Sequence, residues 1–155
     1  MGYLRPTMIS ATIYLNFNGT CEAAFNHYKN VLGSDFSMLM RFNQMPPEEG
    51  QPALSEEEGN KIMHVSLPVG EHTSIMGSDI GGPWTEYYKE GSNFQINLNI
   101  DTKEEANRIF AGLSENGHVN MPLADTFWGS YFGMCTDAYG INWMINVDQE
   151  QPSQS

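Results

Sequence analysis

The chain has 155 residues, 40% of them hydrophobic, enough to bury one core and too few for two ordinary domains. Its 19 acidic residues against 7 basic ones give a formal net charge of -12 with no basic cluster to reverse it, which excludes nucleic acid and anionic membrane surfaces as partners. No apolar run approaches the roughly 20 residues of a membrane span, and no signal-peptide core follows Arg5 and Pro6, so a cytoplasmic location is expected.

Residues 9 to 17 read as a first strand, with Ile13, Leu15 and Phe17 on one face and Thr12, Tyr14 and Asn16 on the other. Thr20 is positioned to cap a helix whose apolar residues Ala24, Phe25, Tyr28, Val31 and Leu32 recur at three- and four-residue spacing until Gly33 stops it. Phe36 to Phe42 reads as a second strand. The stretch from Asn43 to Asn60, with three prolines and five glutamates but no basic residue, reads as a solvated loop. Ile62 to Val69 and Thr73 to Gly77 follow as strands around a Gly70-Glu71 turn.

After Gly81-Gly82-Pro83 and the aromatic run from Trp84 to Tyr88, the order repeats. Phe94 to Ile100 is a strand, and Thr102-Lys103-Glu104-Glu105 forms a capping box for a helix through Ala106, Ile109, Phe110 and Leu113 to Gly117. Val119 to Leu123, Ser130 to Thr136 and Ile141 to Val147 supply three more strands, the last two joined by Asp137-Ala138-Tyr139-Gly140. The expected fold is therefore α+β: one domain over residues 1–155, built from two tandem βαβββ units (about 8–80 and 93–148) and a linker (about 81–92), with curved mixed sheets around a concave pocket. Cys21 and Cys135 lack metal-ligand spacing. They are read as free thiols, with a disulfide as the alternative.

The order of elements, together with Tyr14-Leu15-Asn16-Phe17-Asn18-Gly19, Ala23-Ala24-Phe25-Asn26-His27-Tyr28, His64-Val65-Ser66-Leu67, Met76-Gly77-Ser78-Asp79, Asp125-Thr126-Phe127-Trp128-Gly129 and Asp137-Ala138-Tyr139-Gly140-Ile141-Asn142-Trp143, resembles the vicinal oxygen chelate superfamily. This is the superfamily of glyoxalase I, extradiol dioxygenases and bleomycin-resistance proteins, and the chain looks most like its PhnB-like branch. The resemblance implies a glyoxalase-like fold, a homodimer, and a divalent metal held by one ligand from the first and last strand of each unit, usually histidine or glutamate. Matching those positions gives Thr12, Met76, Gln95 and Met144, which offer neither carboxylate nor imidazole. No metal and no cofactor are expected.

The pocket is expected to be lined by Thr12, Tyr14, Asn16, His64, Met76, Gln95, Asn97, Trp128, Tyr131 and Met144, with Asn99 continuing the amide row. That row fits a pocket wall and a solvated sheet face equally. His64 reads either as a structural strand histidine or as an acid-base group, and Asp79 and Asp125 as turn aspartates. Trp143 is expected in the core. No serine-hydrolase elbow, phosphate loop or dinucleotide turn is present. Two functional readings follow. In the first, the chain binds a small, flat organic molecule without a metal, and its acidity suits a cation. In the second, it is a lyase or oxidoreductase of the same superfamily, with His64 acting beside Tyr14 or Asp79, or with an atypical divalent metal.

Overall fold

Alternation of apolar and polar residues fixes the faces of the first strand, β1 (Ile13–Phe17), where Leu15 and Phe17 are buried and Tyr14 and Asn16 exposed. The computed structural model describes residues 9–47 and 49–149; the expected start of the first unit at Met8 lies outside them. From β1 the chain runs through α1 (Cys21–Leu32), β2 (Met38–Arg41), a short 3₁₀ helix at Phe42–Gln44, α2 (Glu56–Asn60), β3 (Ile62–Val69) and β4 (Thr73–Asp79). A second 3₁₀ helix, Gly82–Tyr87, leads into β5 (Ile96–Asn99), α3 (Lys103–Ser114), β6 (His118–Asp125), β7 (Ser130–Thr136) and β8 (Asn142–Asp148).

The strands form two four-stranded mixed sheets with matching order, β1-β4-β3-β2 and β5-β8-β7-β6. In each, the first strand runs parallel to the last and the other pairs are antiparallel. The repeated strand-helix-strand-strand-strand order is thus realised, and neither sheet closes on itself.

Residues buried on the helix side of both sheets form one core. Phe17 meets Phe25 edge-on at 6.1 Å between ring centres, Phe25 meets Tyr28 at 5.5 Å, and Tyr28 meets Trp143 at 5.3 Å. Each such pair adds about 0.5–1.5 kcal/mol beyond the area it buries. This relay carries the core from the first unit into the second, and it places Trp143 in the core as its alternation requires.

Several boundaries differ from the sequence reading. Residues 9–12 lie outside β1, because periodicity marks a face but not where a ladder partner stops. Thr20 makes no side-chain cap on α1; that role falls to Asp79, described below. Gly33 does end α1, at φ 75°, with its N–H donating to the Lys29 carbonyl. Thr102 caps α3 as expected, accepting from the Glu105 N–H at 3.2 Å, but the helix ends at Ser114, ahead of Gly117. The expected loop over 43–60 contains α2, whose first turn is capped by the Ser55 hydroxyl accepting from the Glu58 N–H at 3.1 Å. Ser55 followed three residues later by Glu58 is a capping-box signature that the acidic, proline-rich composition obscured.

Candidate functional site

The sheet faces turned away from the helices carry the polar residues singled out by pattern. On the first sheet, Tyr14 stands opposite Met76, Met76 opposite Ser66, and Ser66 opposite Met38. On the second, Asn97 stands opposite Met144, Met144 opposite Met134, and Met134 opposite Met121. The duplication holds in register across the inner strand pairs, where Tyr14 corresponds to Asn97, Asn16 to Asn99 and Met76 to Met144, while the outer pairs shift register at different places. Thr12 and Gln95 occupy equivalent exposed positions just before their strands.

The donor set at the four family ligand positions is a hydroxyl, an amide and two thioethers, which does not fit a catalytic divalent metal. Among the described residues no three of His, Cys, Asp and Glu converge on one point. His64 is the imidazole nearest these rows, and its neighbour is Tyr14: the phenol oxygen lies 3.4 Å from His64 Nδ1, with ring centres 5.8 Å apart.

A cavity of about 420 Å³ opens between the two units. Its walls are aromatic: Tyr14 from β1, Trp84, Tyr87 and Tyr88 from the linker, Phe94 before β5, and Tyr139 from the turn between β7 and β8. Polar groups come from Asn16, Lys89, Glu90 and Asn142. Of the residues predicted to line the pocket, only Tyr14 and Asn16 reach this cavity. The linker aromatics were passed over because a Gly-Pro breaker followed by an aromatic run reads as a connection; the density of rings in that run was the available signal.

A model of the family described as 3-demethylubiquinone-9 3-methyltransferase matches residues 9–146. The chain belongs to this family. As a member of the 3-demethylubiquinone-9 3-methyltransferase family it is 31% identical to Protein YjdN of Escherichia coli (strain K12) over 146 residues, spanning 91% of this chain and 97% of YjdN. It is similar to protein PA1353 from Pseudomonas aeruginosa at 38% identity and a TM-score of 0.77, over 92% of this chain and 100% of PA1353. The PhnB protein from Bacillus cereus shares the fold, with 21% identity and a TM-score of 0.68 over 90% of this chain and 99% of PhnB. Structures described as glyoxalase/bleomycin resistance protein/dioxygenase share the fold as well, at 16% and 10% identity. A fold of this breadth carries no reaction with it.

In this family member two buried aspartates, 4% and 3% exposed, serve the fold. Asp79 Oδ1 accepts from the N–H groups of Gly19 and Cys21, both at 3.0 Å, and Oδ2 accepts from Ile62 N–H at 2.9 Å. The carboxylate thus caps α1 from the end of β4, with every contact structural, which removes Asp79 as an acid-base partner of His64. Asp137 accepts from Tyr28 and Trp143 through Oδ2 and from the Tyr139 and Ile141 N–H groups through Oδ1.

Tyr131 does not face the open side. Its strand position pairs with Val147 on the helix side, and its hydroxyl donates to Asn107 Oδ1 at 2.6 Å on α3, beneath the Lys103 ammonium. Trp128 is half-exposed and edge-on to Phe127 and Phe132 at the rim of the second sheet, away from the cavity lining. Asp125 is an exposed partner of Lys103 and Gln149, whose hydrogen bonds hold its carboxyl below the usual range. Cys21 and Cys135 are buried free thiols. Burial, then the Asp79 and Glu22 charges, push the Cys21 thiol far up, and burial with Asp137 pushes Cys135 up to about 11, so neither is an activated nucleophile.

Proposed function

We propose that this protein is a cytoplasmic, single-domain homodimer that binds a small organic molecule in the cavity between its two units, without a metal. The observation that carries the reading is the cavity itself: about 420 Å³ walled by six aromatic side chains with a few polar groups, the composition of a ligand site for a flat molecule. The four family ligand positions lack the donors for a catalytic metal, which favours binding over metal chemistry. The homodimer is supported by large side chains left uncovered on the open sheet faces, among them Tyr14 and Met38 at 45% and 43% exposure. The net charge of -12 argues against nucleic-acid and membrane partners. No helix among the described residues is long and apolar enough to cross a membrane.

The test is metal analysis of purified protein, followed by a thermal-shift screen of small organic molecules with and without chelator. Stabilisation that survives chelation and is lost in Trp84→Ala supports the reading. Stoichiometric metal whose removal abolishes ligand binding overturns it. Sedimentation equilibrium that finds only monomer at micromolar concentration removes the homodimer.

The Tyr14 and His64 contact favours a second reading, acid-base catalysis on the first sheet. It predicts an activity lost in both His64→Gln and Tyr14→Phe with folding intact; binding that persists unchanged in both variants sets it aside.

A further inference from the structure

We infer that His64, which does not line the inter-unit cavity, positions part of its wall: by accepting from the Tyr14 hydroxyl it holds the Tyr14 ring in the orientation on which a flat ligand stacks. The inference rests on the small-molecule reading above and adds a residue outside the cavity that sets its affinity.

Tyr14 belongs to two places at once. It lines the cavity beside Asn16, while its hydroxyl lies 3.4 Å from His64 Nδ1 on the open face of the first sheet, with the two rings tilted at 33°. His64 is absent from the lining, so it acts on a ligand there through Tyr14. The strands put both residues on that face. Tyr14 stands opposite Met76 and Met76 opposite Ser66, and His64 lies two residues from Ser66 along β3. Met40 of β2 stands opposite His64, and the imidazole is half-buried there. Among the described residues His64 is the hydrogen-bond partner of the Tyr14 hydroxyl. At 45% exposure the Tyr14 side chain is not clamped by packing, so this contact selects among its rotamers.

The duplicate unit lacks the pair. Met76 corresponds to Met144 and Ser66 to Met134, so Tyr14 and His64 correspond to Asn97 and Phe132. Asn97 donates instead to Asn99 at 3.1 Å, Phe132 packs edge-on with Trp128, and neither lines the cavity. The phenol–imidazole contact is confined to the unit whose first strand walls the cavity. A hydroxyl donates to Nδ1 only when the imidazole proton sits on Nε2. At 3.4 Å the bond is long, and a ligand that tightens it gains affinity by the same factor with which it strengthens the contact.

The test is calorimetric titration of the full chain with indole, a flat neutral probe. It uses the unaltered protein, Tyr14→Phe, His64→Leu, the double variant and His64→Asn, with circular dichroism confirming the fold of each. The expected result is binding about threefold to tenfold weaker in each of Tyr14→Phe and His64→Leu, and no weaker in the double variant, because the same contact is lost in all three. His64→Asn should restore most of the affinity, its amide oxygen standing near the place of Nδ1. Indole should also shift the His64 ring signals in proton–nitrogen NMR spectra of the unaltered protein and leave them in place in Tyr14→Phe. Affinity in His64→Leu within about twofold of the unaltered protein, or losses that multiply in the double variant, overturns the inference. Indole binding that Trp84→Ala still weakens would then leave the small-molecule reading standing. Failure of indole to bind overturns both.

Discussion

The Tyr28 hydroxyl donates to Asp137 Oδ2 at 2.5 Å, joining the helix of the first unit to the β7–β8 turn of the second inside the common core. The same oxygen accepts from Trp143 Nε1 at 2.8 Å, so one carboxylate holds a ring from each unit and the pair meet edge-on. This contact fixes how the units sit, and with them the walls of the cavity, because Tyr139 and Asn142 flank the Asp137 turn.

Tyr28→Phe keeps the ring and deletes the donor. A buried hydrogen bond to a charged acceptor contributes about 1.5–3 kcal/mol, and the variant should lose that much. The measurement is the urea midpoint at unchanged slope. A loss below about 0.5 kcal/mol would show that water replaces the hydroxyl.

Asp79→Ala should cost about 3 kcal/mol or more, since it leaves the Gly19, Cys21 and Ile62 N–H groups without their acceptor. Amide exchange should accelerate first at the start of α1. Unchanged protection there would mean that the carboxylate is not the cap.

Stability should fall at alkaline pH. The folded state raises the Cys135 thiol from 9.0 to about 11, and it raises the Tyr28 phenol above 10.0 through burial and then the Asp137 charge. A raised folded value means that the unfolded chain releases its proton first, so this stability is complete below the unfolded value and declines as pH rises past it. Unfolding free energy should therefore drop from about pH 9 upward, Cys21 contributing beside Cys135, and Cys135→Ala should lessen the decline without moving its onset. A profile flat to pH 11 would contradict the burial of these groups. At pH 8 Ellman's reagent should leave both native thiols unmodified and titrate both after denaturation.

Gly77→Ala should destabilise by about 1–3 kcal/mol. Its Cβ would lie 2.6 Å from Phe25 Cε2 and 2.8 Å from the Leu15 carbonyl, and Leu15 is held opposite Gly77 by the β1–β4 ladder. Gly81→Ala, with nothing within 4 Å of the new methyl, is the control and should change stability by less than about 0.5 kcal/mol.

Periodicity in the chain determined the kinds of elements, their order, their duplication and the side each residue faces. Tyr14 opposite Met76 and Asn97 opposite Met144 follow from alternation once the strands are paired, because a two-residue period allows no other face. The buried ring of Trp143 was legible for the same reason. What only the tertiary structure decided are the partnerships between residues far apart in the chain. Asp79 reads locally as a turn residue and becomes the cap of α1 because β4 ends beside that helix. Tyr131 reads as a pocket-lining residue and turns instead to Asn107, since its strand pairing puts it on the helix side. The aromatic linker becomes a cavity wall only when the Tyr28–Asp137 contact sets the units side by side. Local pattern encodes backbone geometry and amphipathicity, whereas a site between two units depends on packing that no short window of sequence contains.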